Sequence, residues 1–351
     1  MRSLPALDIK TNINHSPHVV ILGAGASLAA LPRGDARGQQ LPLMNNLVDT
    51  VGLRPLIEQA GLNANIANFE GFYDELVTSG KNPNLIGEIE RRVHEYFSAL
   101  SLPEHPTIYD YLILCLRSTD LIATFNWDPF LAQAYHRNAR VTDPPQMVYL
   151  HGNVAIGTCE EHRIVNFVGR KCSKCQKLLS PSKLLYPVRH KDYNSDPYIK
   201  GEWANLRHFL QHAYYVTIFG YSAPDTDVEA RGLMLEVWKK NPTRELAEID
   251  IVDIKPKKQL ERAWKDFFVR QHYGVLSDIF RTTLFRHPRR SCDAFAMATL
   301  QNEPWEENPV PRFNKLTELQ DWIAPLIAEE NAGQFSGLPC HKIKSPDRDK
   351  K

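Results

Sequence analysis

The chain has 351 residues, 43% hydrophobic and 24% charged, enough for one large α/β domain with an insertion or a small second domain. Its 42 Lys and Arg against 41 Asp and Glu leave a formal net charge of +1, so the global balance gives no signal for direct nucleic-acid binding or for a membrane surface. There is no apolar run of about 18 residues, and the polar start MRSLPALDIKTNINHSPH lacks the core of a secretion signal, which predicts a cytoplasmic protein with reduced thiols and no membrane partner.

Residues 1–17 read as a loose arm. HVVILG at 18–23 is an apolar run of strand length that ends in glycine, as a buried parallel strand does when it feeds a turn. Helical spacing of apolar residues follows at 43–60, 70–79 and 85–100, and predicts a helical insertion over about 43–117. DLIATF at 120–125 and MVYLHG at 147–152 are again short buried strands, separated by NWDP and the helical LAQAYHRN. After a cysteine-rich module at about 157–180 come a helix YIKGEWANLRHFLQHA, strand YYVTIFGY at 214–221, a helix at about 226–240, strand EIDIVDI at 248–254 and a helix KKQLERAWKDFFVRQ. Strand and helix alternate here, and the fold class predicted is α/β, a doubly wound, Rossmann-like parallel sheet running over 18–285 with a helical insertion layer and a small zinc-ribbon module. A C-terminal helical extension at 286–334, with the amphipathic TELQDWIAPLIAEE, and a charged tail at 335–351 complete the chain.

Four residue groups have the composition of a site. The first is Gly23-Ala24-Gly25-Ala26-Ser27, directly after a strand, where glycine lets a backbone approach a pyrophosphate; the alternative is a plain strand-to-helix turn. The second is Cys159-x-x-His162 followed after nine residues by Cys172-x-x-Cys175. Two such knuckles close a tetrahedral zinc site with no open position for water, which makes the metal structural; His162 is the weaker member of the set. Cys115, Cys292 and Cys340 stand apart from it. The third group is Asn126, Asp128 and His151, each just past the carboxyl end of a strand, where open α/β sheets place their ligand crevice. Against that reading, Asn126 and Asp128 are also suited to capping the helix after Pro129, and His151 to a turn before Gly152. The fourth is Gly220-Tyr221-Ser222, with Asp227 as ligand contact or N-cap, and Asp253 at a strand tip as a ribose-binding or surface carboxylate.

Taken in order, GAGAS, TFNWD, LHG, the knuckle pair, FGYS and IVDI resemble the NAD-binding domain of the sirtuin family over about residues 18–270. The FGYSAPDTD block and the KDY segment are most similar to bacterial sirtuin-like proteins that degrade NAD in anti-phage defence. The resemblance implies NAD as substrate and zinc as structural metal. It puts the NAD phosphates and ribose at Gly23, Ala24, Gly25 and Ser27, the nicotinamide-ribose chemistry at Asn126 and Asp128, the catalytic histidine at His151, and the adenosine half at Gly220, Ser222 and Asp253. Two departures stand out. The family segment GIPDFR is replaced by PRGDARGQQLPLMNN, and one zinc cysteine is replaced by His162.

What the resemblance implies first is hydrolysis of NAD to nicotinamide and ADP-ribose, with Asn126 positioning water and His151 acting as a base near neutral pH. The alternatives are NAD-dependent deacylation or ADP-ribosylation of protein, and a non-catalytic NAD sensor or assembly module whose helices at 43–100 and 315–330 meet partners. Loss of GIPDFR counts against deacetylation. A destructive NAD hydrolase also needs restraint, which implies self-association or a separate activating protein.

Overall fold

The computed structural model of the chain describes residues 16–188, 191–221 and 227–332. Ser222 and Cys340, nearly all of the expected arm, and the charged tail lie outside the described residues. Strand β1 (His18–Leu22) leads into helix α1 (Ala24–Ala30), and the insertion follows as α2 (Leu47–Val51), α3 (Arg54–Gln59), α4 (Phe69–Ser79), α5 (Pro83–Ser98) and α6 (Ile108–Cys115). The stretch at 43–60 is thus two short helices, broken at Gly52–Leu53. Then come β2 (Leu121–Thr124), α7 (Phe130–Asn138) and β3 (Gln146–Tyr149), the small strands β4 (Ile156–Cys159), β5 (Ile164–Phe167) and β6 (Ser180–Pro181), and α8 (Pro197–His212). The second half of the sheet is built from β7 (Tyr215–Phe219), α9 (Val228–Trp238), β8 (Glu248–Val252), α10 (Lys257–Trp264) and β9 (Tyr273–Leu276), and α11 (Thr283–Arg286), α12 (Ser291–Leu300) and α13 (Leu316–Asn331) end the described chain.

The main sheet is six-stranded and parallel throughout, in the order β3-β2-β1-β7-β8-β9. Counting only these six strands, the order is 3-2-1-4-5-6, the doubly wound arrangement whose ligand crevice opens at the carboxyl ends of the two central strands. Because side chains alternate along a strand, β1 feeds two cores. Val20 and Leu22 pack with the insertion helices, α6, α7 and α13, whereas Val19 and Ile21 pack with Trp203 of α8, Trp238 of α9 and Trp264 of α10.

Three elements differ from the sequence reading. Strand β9 was not expected: its four residues YGVL are all half-buried and include a glycine, so neither an apolar run nor an alternation marks it. The helix expected from Lys257 stops at Trp264, because the chain turns there to bring the Phe267 carbonyl under Trp238 Nε1 at 2.8 Å. Finally, the tail helix α13 does not offer its apolar face to a partner. Leu319, Trp322, Ile323, Leu326 and Ile327 are buried in the main core, and Glu330 pairs with the buried Arg289 at 2.6 Å.

Strands β5-β4-β6 form a separate antiparallel sheet that carries the cysteine-rich module. The chain returns from it through Ser182–Leu185, where Ser182 N donates to Ile156 O and Leu185 N donates to His151 O, both within 2.9 Å.

Candidate functional site

At the centre of the crevice the turns after β1 and β7 cross in contact. Gly23 N donates to Phe219 O and Gly25 N to Gly220 O, each at 3.0 Å, while Ala26 N donates to Gly23 O at 2.9 Å. Gly220 has φ +63°, and a Cβ there would sit 2.2 Å from Ala26 N. The glycines are therefore required first by the packing of one turn on the other, and three of the first four loop amides already donate inside the protein.

Asn126 enters this crossing from the loop after β2. Its Nδ2 donates to Gly23 O at 3.0 Å and to Ser27 Oγ at 2.9 Å, which leaves Oδ1 as the side chain's remaining polar atom. Ser27 Oγ in turn donates to Asp128 Oδ2 at 2.7 Å and lies 2.7 Å from Tyr109 OH. Burial keeps Tyr109 protonated, so the phenol is a donor to Ser27. Burial also pushes Asp128 up to about 6, against the opposing pull of the Ser27 hydroxyl. Capping is a minor part of the Asp128 role, since its Oδ1 reaches Phe130 N only at 3.3 Å. Beneath the loop, Asn153 Nδ2 donates to the carbonyls of Asn126 and Asp128 at 3.1 and 2.6 Å and fixes both residues from below.

His151 forms the second wall. Its ring lies edge-on to Phe125, whose other face stacks on Tyr221 at 4.2 Å, and its Nε2 is 3.3 Å from Tyr193 OH. Desolvation lowers its pKa to about 4; Asp227 pulls it up and Lys191 pushes it down. His151 is therefore held neutral, with an imidazole able to accept a proton at physiological pH. Asp227 stands at the N-terminus of α9 but does not cap it with its side chain. Its carboxylate is taken by the buried Lys191 ammonium and by Tyr221 OH at 3.0 Å.

These groups line one cavity of about 430 Å³, to which Gly23, Ala24, Ser27, Asn126, Asp128, His151 and Gly220 all contribute. Gly25 is packed on Gly220 behind them, and Asp253 is not among the lining residues: its carboxylate accepts from Lys255 N at 2.9 Å. Leu41 and Pro42 line it as well, with Leu43–Asn45, Asn68 and Phe97 of the insertion. Sequence reasoning missed Tyr109, Asn153, Lys191, Tyr193 and Trp127. The Nε1–H of Trp127, a cavity residue, is buried with no acceptor among the described residues. Only the KDY segment, already noted for its resemblance, pointed toward Lys191 and Tyr193.

In the small module the ligand atoms of Cys159, His162, Cys172 and Cys175 lie within 4.8 Å of one another. Cys159 Sγ is 3.9 Å from Cys175 Sγ and 3.5 Å from His162 Nδ1, and Cys172 Sγ is 3.7 Å from the same nitrogen. Tetrahedral zinc with ordinary bond lengths sets its ligands about 3.6–3.8 Å apart, so the group fits zinc and includes His162.

No family model and no curated protein matches the chain. Similar solved structures include a Sir2 homologue–NAD complex, at 14% identity over 84% of this chain and 93% of that one, with a TM-score of 0.39. A structure concerned with sirtuin substrate affinity has 15% identity over 79% and 95%, with a TM-score of 0.40. A complex of Sir2 with a p53 peptide and NAD+ has 13% identity over 83% and 96%, also with a TM-score of 0.40. By its own strand order, the chain is a doubly wound parallel α/β protein with a crevice built from the turns after β1, β2, β3 and β7.

Proposed function

We propose that the protein hydrolyses NAD to nicotinamide and ADP-ribose in the cavity at the carboxyl ends of β1, β2 and β3. The observation that carries this reading is the convergence of Asn126, Ser27, Asp128 and His151 on that cavity, on a sheet with dinucleotide-binding order. In NAD the nicotinamide already leaves as a neutral amine from a cationic nitrogen, so the enzyme must stabilise an oxocarbenium-like ribose and deliver water. Asn126 is suited to the second task. Both of its N–H bonds are committed within the protein, and Oδ1 is a fixed acceptor that can orient a water. The neutral His151 takes a proton from a ribose hydroxyl or from that water, and the Asp128 carboxylate, through Ser27, favours developing positive charge nearby.

Hydrolysis is placed ahead of acyl or ADP-ribosyl transfer to protein because the family segment GIPDFR is replaced here by PRGDARGQQLPLMNN. Nicotinamide release from purified protein is the test, with Asn126→Ala expected to lower the rate by about 100-fold or more. Equal release by that variant sinks the proposal. Release that requires an acetylated peptide or an acceptor protein favours transfer instead, and NAD binding by calorimetry without turnover favours the sensor reading. We also propose a role in arresting phage growth, a reading supported by the FGYSAPDTD and KDY resemblance. It predicts that infected cells lose NAD when they carry the wild-type protein and keep it when they carry His151→Ala.

A further inference from the structure

The near-neutral balance of the whole chain conceals a local concentration of charge. Residues 157–183 carry six Lys and Arg against only Glu160 and Glu161, in a chain whose net charge is +1. Four of these cations, Arg170, Lys171, Lys174 and Lys177, fall on the second zinc knuckle, and all four are exposed. The knuckle is a tight hairpin: Leu179 N donates to Arg170 O at 2.9 Å, Cys172 N to Lys177 O at 2.8 Å, and Lys171 stands opposite Leu178 across a β-bridge. Its tip is tied down at Cys172 and Cys175 by the metal-ligand cluster. Surface cations elsewhere are often matched, as in Arg91 with Glu88 and Glu95, Lys240 with Glu236, and Arg286 with Glu307. On the knuckle only Lys177 has a carboxylate nearby, Glu161 at 4.0 Å, and Arg170, Lys171 and Lys174 have no ion pair among the described residues.

We infer that this hairpin is a docking surface for the phosphate backbone of a nucleic-acid duplex. Like charges fixed on a rigid hairpin repel one another in the free protein, and a polyanion relieves that repulsion while releasing its own counterions. The hairpin sequence RKCSKCQKLL contains no aromatic side chain on which an unpaired base can stack, which argues for a duplex over a single strand. On the hairpin itself Leu178 is the one large apolar side chain exposed, and Val165 and Val168 are exposed just before it.

The test uses the zinc-loaded full chain and a short fluorescent DNA duplex of arbitrary sequence, with anisotropy followed across a salt series. The expected result is binding at low salt, with log Kd rising against log salt at a slope of about 3–4, one per phosphate contact. The triple variant Lys171→Gln, Lys174→Gln, Lys177→Gln is expected to bind at least about tenfold more weakly, with the slope reduced by about 2–3. Lys239→Gln with Lys240→Gln, at the C-terminal end of α9 and outside the hairpin, is expected to leave both unchanged. Zinc content and circular dichroism check that the triple variant is folded; should it lose zinc, Lys174→Glu at the hairpin tip is read in its place. Absence of duplex binding at low salt, equal binding by the variant, or tighter binding of single-stranded DNA or polyglutamate than of duplex each overturns the inference. NAD turnover is not part of the readout, so the outcome is independent of the activity proposed above.

Discussion

At His151 two buried charges act in opposite directions, and they arrive from separate parts of the chain. Lys191, in the segment after the zinc module, disfavours the imidazolium, whereas Asp227, at the start of α9, favours it. The two are bound to each other, so removing either leaves its partner to act alone. Lys191→Met should therefore raise the His151 pKa by about a unit or more, and Asp227→Asn should lower it. If neutral His151 is the proton acceptor, nicotinamide release falls as acid protonates it. That acid step should lie near 4 in the wild type, move up in Lys191→Met and move down in Asp227→Asn. Asp128, pushed to about 6 by burial, contributes its own step at higher pH, which neither substitution should move. Profiles in which both variants shift in the same direction, or neither shifts, would mean that the pair serves only to hold the loop. Asn126 requires no such tuning, because its role depends on orientation and its orientation is set by Gly23, Ser27 and Asn153.

The return segment Ser182–Leu185 joins the zinc module to the reactive loops. Ser182 Oγ donates to Asn153 O at 2.9 Å, Asn153 holds the carbonyls of Asn126 and Asp128, and Leu185 N holds His151 O. Gly152 between them has φ +75°, and a Cβ there would fall 1.9 Å from Lys183 O, so the segment lies directly on the turn. Zinc removal should thus act on the site through this contact as well as through global stability. Cys172→Ser is expected to lose zinc and activity together. Asn153→Ala should keep its zinc yet lose about tenfold or more in nicotinamide release, because two buried carbonyls lose their donor at about 1–3 kcal/mol each. A fully active Asn153→Ala protein would rule out this coupling. The zinc ligands were legible in the sequence because their spacing is local, and β1, β2 and β7 because strands buried on both faces read as apolar runs, while β3 and β8 showed as short apolar stretches ahead of a Gly or an Asp. The supports of the site were not legible. Tyr109 and Asn153 meet Ser27 and Asn126 only through the fold, from positions whose neighbours in sequence say nothing of it, and Lys191, though the KDY segment marked it, meets Asp227 in the same way. Asp253 shows the converse, a strand-tip acid whose position suggested a ligand and whose carboxylate turns to its own backbone.

Over the whole molecule, the buried titratable groups make stability depend on pH through two opposed sets. His18, bonded to Ser291 and Thr217 beneath the sheet, is lowered by burial to about 3, and His151 to about 4. Below pH 6.5 the unfolded chain binds protons at these positions that the fold refuses, so their contribution to stability is lost as pH falls from 6.5 toward 4. Glu202 belongs to the other set. It lies on α8, accepts from Tyr149 N at 2.7 Å, and is pushed by burial from 4.5 to about 8; Glu248 is raised to about 8 in the same way. Here the fold holds a proton that the unfolded chain releases above 4.5, so stability falls as pH rises from about 4.5 to 8 and then levels. The sets oppose each other between about 4.5 and 6.5, and above 6.5 the carboxyl set acts without the histidines. Glu202→Gln replaces the protonated acid with a neutral amide of the same shape and removes one such term. Its stability relative to wild type, from urea midpoints measured at pH 5 and pH 8.5, should therefore improve by on the order of 3 kcal/mol toward the higher pH. A difference that stays constant across that range would mean that Glu202 is ionised in the fold, and that α8 is fastened to β3 by a buried charge.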